Sequence, residues 1–226
     1  MQEFTLNSIG GVFSTAVSFI ESLLGRDRWE LILRIEDSSR SWVARGVGSE
    51  HNYGRLPEEH EIRPWAVPRT TGILLHSLIR LFNCQSGLEI GTSLGYSTIF
   101  LGAAFEANSG TLTTCEIFEL KAKEARKNLA KAGLENVTLV QAEALDVTKD
   151  CSQELDFVFF DADPQNYKAY LKALEPRLKP GALLVMDNAL DHNFLTQPFI
   201  DHVLNSQHWC GHVVPLDHGI LLARRK

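Results

Sequence analysis

LEIGTSLGYSTIFLG, residues 88–102, joins a short apolar run to a glycine-spaced turn and then to a second apolar run. The first run suits a buried strand, and Gly91 and Gly95 allow tight backbone turns close to a ligand. The run from Tyr96 onward predicts a helix whose N-terminal amides can bind an anion. An ordinary strand-to-helix turn has the same pattern, so the segment favours a nucleotide-like cofactor only together with residues further along the chain.

The length and composition of the chain limit what can surround this segment. The 226 residues can fill one α/β domain whose core needs no disulfide or metal to hold it. Apolar residues make up 44% and charged residues 22%, which argues against a disordered or fibrous chain. The cysteines are scattered, so we expect reduced thiols rather than a zinc site or a redox dithiol. They are Cys84, Cys115, Cys151 and Cys210.

The charge of the chain bears on its partners and its compartment. A formal net charge of −6 argues against a surface that mainly binds phosphate backbones. The apolar stretch Ile9–Leu24 is interrupted by Glu21 and preceded by Glu3, with no positive charge before it. This pattern is typical of an amphipathic helix rather than a signal peptide or a membrane span. We therefore expect a cytoplasmic protein that binds no membrane.

Residues 1–64 show the least regular pattern, and we interpret them as a separate N-terminal segment. Their sequence predicts a helix around Val12–Leu24, an apolar patch around Trp29–Ile35 and then a loop-like stretch. The glycine-containing stretch 41–55 fits a surface loop, a lid or an arm that contacts a partner. Residues 65–226 form the predicted main domain.

From Pro68 onward, strand-like and helix-like runs alternate along the chain. Such alternation is typical of an α/β protein with a mostly parallel sheet and helices on both faces. Ligands of such sheets bind outside the carboxyl ends of the strands. The strand-like runs are 88–90, 111–115, 137–140, 157–160, 182–186 and 220–223, and the helix-like runs are 68–81, 96–105, 120–132, 167–174 and 194–204.

Glu116 ends the second strand-like run and is a candidate for binding a ribose. A carboxylate at this point can accept hydrogen bonds from both ribose hydroxyls. The dinucleotide-binding fingerprint requires G-x-G-x-x-G, whereas three residues separate Gly91 from Gly95, so a nicotinamide cofactor is disfavoured. The alternative role for Glu116 is structural, because an acid is also favoured near the N-terminus of the following helix.

Two further strand ends carry side chains with oxygen donors. The run DFVFFDAD places Asp161 and Asp163 just after four apolar residues, and ALLVM is followed at once by Asp187 and Asn188. In a parallel sheet these two strand ends can be neighbours, so that Asp161, Asp187 and Asn188 converge. Such hard oxygen donors suit magnesium or calcium. Turn and capping chemistry is the alternative for each residue alone, but the coincidence of both strand ends favours a metal site.

From about Val67 to the C-terminus, these motifs resemble those of the divalent-metal-dependent S-adenosylmethionine O-methyltransferases. That family includes catechol and caffeoyl-CoA O-methyltransferases and bacterial relatives. The resemblance implies a Rossmann-like class I methyltransferase sandwich with a mostly parallel, seven-stranded sheet. The implied cofactor contacts are Glu89, Gly91, Thr92 and Ser97 around the methionine end, Glu116 at the ribose, Ala144 at the adenine, and Val67 and Asp163. The implied ligands of the metal, which is magnesium, calcium or manganese, are Asp161, Asp187 and Asn188.

The reaction that the resemblance implies is methyl transfer to a hydroxyl of a small, phenolic or catechol-like acceptor. Asp161 acts in catalysis through the metal that it holds. Few residues follow Asn188, which disfavours the longer substrate loop of the plant enzymes and a caffeoyl-CoA acceptor. The alternatives are methylation of a hydroxylated tRNA uridine, which the acidic balance disfavours, and a cofactor-binding protein without methyl transfer. Residues 1–64 are expected to act as a lid or as a homodimer contact.

The chain departs from the family pattern at Pro164, where well-known members have a lysine regarded as the general base. A local reason explains the proline, because Asp163 can be an N-cap and proline suits the first helical position. Lys168 lies about one turn further along and is a poor substitute. His192 is the candidate base, since an imidazole can accept a proton near neutral pH, and a solvent-facing loop histidine is the alternative interpretation.

Overall fold

The computed structural model describes residues 21–44, 65–191 and 193–226, which contribute seven strands to one sheet. These strands are β1 (Ser86–Ile90), β2 (Thr111–Glu116), β3 (Val137–Gln141), β4 (Leu155–Phe160), β5 (Leu178–Met186), β6 (Trp209–Val214) and β7 (Ile220–Arg225). Their order in the sheet is β3-β2-β1-β4-β5-β7-β6. The first five strands pair in parallel, and β7 runs antiparallel to both β5 and β6. The α/β class and the mostly parallel, seven-stranded sheet are therefore confirmed.

Helices connect the strands. In the described ranges they are α1 (Arg26–Ala44), α2 (Arg69–Leu81), α3 (Tyr96–Ala107), α4 (Glu119–Lys131), α5 (Ala144–Asp150), α6 (Tyr167–Leu174) and α7 (Asn193–Leu204). Short 3₁₀ turns cover Pro164–Asn166 and Glu175–Arg177. Among these helices, none combines the length and the apolar character needed to cross a bilayer.

Each face of the sheet has its own apolar core. Phe157 and Phe159 of β4 belong to a cluster formed with α1, α2 and α3, whereas Val158 and Phe160 belong to a second cluster formed with α6 and α7. Successive side chains of a strand point to opposite faces, and both faces are covered here. This explains why β4 is a continuous apolar run without polar alternation.

The N-terminal region differs from the sequence-based prediction where the structure describes it. A single helix, α1, replaces the predicted patch and the first part of the predicted loop. Its apolar residues recur at helical spacing, and pairs such as Glu30–Arg34 and Glu36–Arg40 support a helix. Trp29 packs in the core cluster of α2 and α3, so α1 is joined closely to the main domain.

Two elements were not predicted from the sequence. Strand β6 has exposed residues at its centre and lies at the sheet edge, so it shows neither an apolar run nor clear alternation. Helix α5 has only seven residues, ALDVTKD, of which one is fully buried. Both are too short and too polar to produce a periodic apolar signal.

The order of the strands creates a switch point between β1 and β4. From β1 the chain moves outward through β2 and β3, and it then returns to β4 on the other side of β1. The carboxyl ends of these strands share one edge of the sheet. Ligands bind at such switch points in open α/β sheets, so this edge is the place to look for a site.

Candidate functional site

The loop between β1 and α3 brings the end of the first strand against that of the fourth. Gly91 has a φ of 104°, and a Cβ at this position would lie 2.1 Å from the carbonyl oxygen of Asp161. No side chain fits at that distance, so this contact requires glycine. Gly95 has a φ of 87° and precedes the first residue of α3 in a left-handed conformation. The two glycines let the loop turn tightly over the edge of the sheet.

Glu89 is fully buried and is held by three hydroxyl groups. Its carboxylate accepts hydrogen bonds from Ser97 Oγ, Thr98 Oγ1 and Thr114 Oγ1, each at 2.6 Å. The hydroxyl of Thr92 lies 2.6 Å from that of Thr114. Burial raises the pKa of Glu89, and the three hydrogen bonds oppose that rise. Three residues predicted to bind the cofactor, Glu89, Thr92 and Ser97, thus belong to one buried network.

The carboxylate of Glu116 bridges two backbone segments beside this loop. One of its oxygens accepts the N–H of Ser93 at 2.8 Å, and the other accepts the N–H of Phe118 at 2.9 Å. Burial raises the pKa of Glu116, whereas the positive charge of Lys121 lowers it. Two carboxylate oxygens offer about four lone-pair positions, so Glu116 still has capacity to accept two ribose hydroxyls.

The other predicted cofactor residues lie around the same edge. Val67 is buried in the segment before α2, and in that segment the N–H of Trp65 donates to Ser93 Oγ at 3.2 Å. Ala144 begins α5 after β3, the strand beside β2. Asp163 follows the end of β4. Ala144 and Asp163 thus follow the carboxyl ends of β3 and β4, and Val67 lies in the segment that is bonded to the β1–α3 loop through Trp65.

Asp161 and Asp187 follow neighbouring strands and lie side by side. The N–H of Asp161 donates to the carbonyl of Ile90 at 2.9 Å, and the N–H of Asp187 donates to that of Phe160 at 3.1 Å. Burial and the charge of Asp187 raise the pKa of Asp161 well above its usual range. Burial raises the pKa of Asp187 to about 6. Two adjacent carboxylates in a shielded site are each harder to ionise than a carboxylate in water.

Asn188 joins this pair, and together the three residues fit a metal ion. Its φ is 61°, and its Nδ2 lies 3.4 Å from Asp161 Oδ1. Oδ1 of Asp187 is buried and has no hydrogen-bond partner among the described residues. Such an oxygen is costly unless a cation binds it. Two carboxylates and an amide are a donor set for a hard divalent cation that takes its other ligands from water or substrate.

This donor set relies on the amide of Asn188 for its third protein ligand. In the described ranges, no three His, Cys, Asp or Glu side chains are grouped so that they could hold a metal. The chemistry of oxygen ligands therefore favours magnesium, calcium or manganese over zinc or copper at Asp161 and Asp187.

The turn after β4 is fixed by local contacts. Asp163 accepts a hydrogen bond from the backbone N–H two residues later, and Pro164 is the first residue of the 3₁₀ turn. The predicted local role of the proline is confirmed. The hydroxyl of Tyr167 donates to the carbonyl of Ala162 at 2.7 Å and accepts its N–H at 2.8 Å. Lys168 is exposed on α6.

His192, the predicted base, lies outside the described residues, and a different histidine, His218, acts electrostatically on Asp187. Nδ1 of His218 lies 2.5 Å from a carboxylate oxygen of Asp191. The positive charge of His218 lowers the pKa of Asp187 and so opposes the effect of burial. The sequence analysis did not identify His218 because it did not predict β6 and so did not recognise the β6–β7 loop.

Lys121 is a second residue of the site that the sequence analysis did not identify. It is 1% exposed, on the face of α4 that packs inward with Ala122, Ala125 and Leu129. Helical spacing from these apolar residues places Lys121 on the buried stripe, so a signal for it was present in the sequence.

Comparisons with known proteins found matches in both sequence and fold. A model of the O-methyltransferase family matches residues 54–209. A catechol O-methyltransferase of Niastella koreensis is 34% identical over 130 residues, which are 55% of this chain and 58% of that protein. The chain spans about three fifths of the length of the curated relatives it matches.

Solved structures share the fold along most of the chain. An O-methyltransferase from Bacillus cereus in complex with SAH has a TM-score of 0.70 at 22% identity, covering 94% of this chain and 97% of that one. An O-methyltransferase from Streptomyces achromogenes involved in tomaymycin synthesis, in complex with SAM, has a TM-score of 0.71 at 24% identity, covering 93% and 96%. At these identities the likeness concerns the fold.

Proposed function

The chain belongs to the O-methyltransferase family, and we propose that it transfers a methyl group from S-adenosylmethionine to a hydroxyl of a small, catechol-like acceptor. The proposal includes a divalent metal held by Asp161, Asp187 and Asn188. Magnesium is the first candidate because it binds readily to one or two carboxylates together with water and substrate oxygens.

The observation that carries the proposal is the contact between Gly91 and Asp161. The β1–α3 loop, which we call the cofactor loop, begins at Gly91. The Cα of Gly91 lies so close to the carbonyl oxygen of Asp161 that a Cβ on it would be 2.1 Å from that oxygen. The residues proposed for the methyl donor and those proposed for the metal therefore meet at one point of the sheet edge. Methyl transfer requires such closeness, because the sulfonium methyl and the acceptor oxygen must lie in line within contact distance.

Each group of residues has its own part in the proposed reaction. The network around Glu89 fixes the loop, and Glu116 accepts the ribose hydroxyls, so the donor is held in one orientation. The acceptor hydroxyl loses its proton to solvent, its oxygen forms a bond to the methyl carbon, the bond from that carbon to sulfur breaks, and S-adenosylhomocysteine leaves. A metal bound by Asp161 and Asp187 would lower the pKa of the attacking hydroxyl and fix its position.

The proline at position 164 limits which acceptors suit this site. Pro164 has no titratable group, and Lys168 is exposed on α6. A hydroxyl that loses its proton readily, with a second oxygen to chelate the metal, is therefore the best-matched acceptor. Catechols have both properties, and one of the relatives is named a catechol O-methyltransferase.

An acceptor panel tests this proposal. Purified protein is incubated with S-adenosylmethionine and magnesium together with catechol, phenol, a tRNA carrying a hydroxylated uridine, or no acceptor. The methylated products are measured by mass spectrometry. We expect methylated catechol, little methylated phenol and no methylated tRNA. Transfer to tRNA alone would show that the acceptor is wrong, and cofactor binding without transfer to any acceptor would show a binding protein.

A further inference from the structure

Helix α4 has a buried lysine next to an exposed leucine, which is the reverse of the usual arrangement. Lys121 is 1% exposed, whereas Leu120, its neighbour, is 41% exposed. Moving an ammonium group out of water costs several kcal/mol unless other groups compensate it. We therefore expect the buried charge of Lys121 to have a function, because an apolar residue would be less costly at this inward position.

The ammonium of Lys121 closes a ring of contacts around the cofactor loop. Its Nζ lies 3.6 Å from the centroid of the Trp65 ring and 5.3 Å from that of Phe118. The N–H of Trp65 donates to Ser93 Oγ, and the N–H of Ser93 donates to the Glu116 carboxylate. That carboxylate also accepts the N–H of Phe118. The ring thus leads from Trp65 through Ser93, Glu116 and Phe118 back to Lys121.

Glu116 needs a nearby positive charge in this environment. It is 7% exposed, and among the described residues its charge also acts on Glu89 of β1 and Cys115 of β2. Neither of these supplies a positive charge. The charge of Lys121 lowers the pKa of Glu116, and it also lowers that of Asp161. Among the described residues, Lys121 is thus a cation that shares a ring of contacts with Glu116 and opposes the cost of burying it in the ionised form.

Ionisation of Glu116 matters because both ribose hydroxyls donate hydrogen bonds. A carboxylate accepts at both oxygens, whereas a protonated carboxyl uses one oxygen as a donor. We infer that Lys121 is a positioning residue for the ribose of S-adenosylmethionine, because its ammonium keeps Glu116 in the ionised form that accepts both hydroxyls. This inference rests on the proposed function, since it presumes that Glu116 binds that ribose.

Trp65 has a part in the same arrangement. Cation–π contact with an indole ring stabilises an ammonium that has lost water. The ring is 45% exposed, and its backbone is tied to the cofactor loop through Ser93. The indole therefore holds the ammonium of Lys121 within the ring of contacts to which Glu116 belongs.

Affinity for S-adenosylhomocysteine as a function of pH tests the inference. Calorimetric titrations between pH 5.5 and 9 compare the wild type with Lys121→Met and Lys121→Arg. Removing the cation should raise the pKa of Glu116, so the fall in affinity on the acid side should begin at a pH about one unit higher. At a pH on that acid limb, affinity should be about tenfold weaker, and the difference should shrink as pH rises. Lys121→Arg should restore most of the wild-type profile.

Two variants serve as controls for this titration. Lys123→Met removes an exposed lysine of the same helix and should leave the profile unchanged. Glu116→Gln should remove the acid limb, and this variant keeps the inference testable if Lys121→Met does not fold. A loss of affinity in Lys121→Met that is equal at every pH, or no loss at all, would overturn the inference. An acid limb that persists in Glu116→Gln would also overturn it.

The same titration separates this inference from the proposed function. If the wild type does not bind S-adenosylhomocysteine at any pH, the proposed function fails at its cofactor. If the wild type binds it and Lys121→Met has the wild-type pH profile, the proposed function stands and the role of Lys121 fails.

Discussion

The two halves of the sheet edge differ in how completely their polar groups are satisfied by the protein. At the ends of β1 and β2, the carboxylates of Glu89 and Glu116 both accept hydrogen bonds from protein hydroxyl or backbone N–H groups. At the ends of β4 and β5, Asp161 and Asp187 face each other, and one buried oxygen of Asp187 has no partner among the described residues. The first half is preorganised, whereas the second leaves a buried carboxylate oxygen without a partner, as expected for the proposed metal site.

This difference fits separate roles for the two halves, with the cofactor bound at the first and the proposed metal at the second. A preorganised loop can bind the cofactor without a further loss of conformational entropy in its own side chains. Two adjacent carboxylates that are ionised in a shielded site raise the free energy of the folded protein, so a cation bound to them would stabilise it. We therefore expect changes in the two halves to affect different measurements.

The largest effect is expected from removing one charge of the second half. Asp187→Asn should lower kcat/KM for methyl transfer to catechol about a thousandfold, or about 4 kcal/mol, because a metal ligand is lost. Affinity for S-adenosylhomocysteine should stay within about threefold, because the first half is intact. Steady-state kinetics and calorimetry measure the two quantities. Asp201→Asn changes an exposed aspartate of α7 and is the control. Equal losses of kcat/KM and of affinity for S-adenosylhomocysteine would contradict the separate roles of the two halves.

A substitution at Gly91 should damage both halves, because this residue joins them. Gly91→Ala places a Cβ about 2.1 Å from the Asp161 carbonyl and strains a φ of 104°. The free energy of unfolding should fall by about 3–4 kcal/mol in urea denaturation. Gly133→Ala, with a φ of 62° and no atom within 4 Å of its Cβ, should cost about 1 kcal/mol. Equal costs at the two positions would show that the close approach is unimportant.

The stability of the metal-free protein should depend on pH through the second half. The pKa of Asp187 is raised to about 6, so the folded state binds a proton that the unfolded state releases at a lower pH. Stability should therefore fall as pH rises from about 4 to about 6, by about 2–3 kcal/mol, and remain lower above that range.

Denaturation at several pH values, with a chelator present, measures this dependence. Asp187→Asn should flatten the curve, and magnesium added to the wild type at pH 8 should restore stability. A wild-type curve that rises between pH 4 and 6, with no change in the variant, would contradict the raised pKa of the buried Asp187.

The smallest effect is expected where α1 supports the first half. The hydroxyl of Tyr96 donates to Glu36 at 2.7 Å, and Arg69 binds the same carboxylate. Tyr96→Phe should lower the free energy of unfolding by about 1 kcal/mol, because Arg69 still pairs with Glu36. A double-mutant cycle with Glu36→Gln should give a coupling energy of about 1 kcal/mol. A coupling energy near zero would show that this bond does not anchor α1.

The sequence predicted the first half of the edge more completely than the second. Glycine spacing and a strand-ending acid are local patterns, and the structure places Gly91 and Glu116 as these patterns indicate. The convergence of Asp161 with Asp187 was also predicted, because parallel strands end at one edge. The left-handed conformation of Asn188 and the unpartnered oxygen of Asp187 depend on tertiary packing, which no local pattern reports.

The residues that sequence reasoning did not identify share a physical cause. Lys121 is polar in an apolar stripe, and its burial depends on Trp65, which is distant in sequence. His218 lies in a loop that follows β6, an edge strand without an apolar run. Periodicity places Lys121 on the buried stripe of α4, but it reports neither the contact of Lys121 with Trp65 nor the loop after a polar edge strand, because both depend on the tertiary structure.

The account is tested most directly by measuring cofactor affinity and methyl transfer in the same sample as a chelator removes magnesium. We predict that affinity for S-adenosylhomocysteine, measured by calorimetry, stays within about threefold, because the first half needs no metal. Methyl transfer from S-adenosylmethionine to catechol should fall at least about a hundredfold and return when magnesium is added back. Transfer that continues unchanged in the chelator, or affinity that falls in step with transfer, would contradict the account.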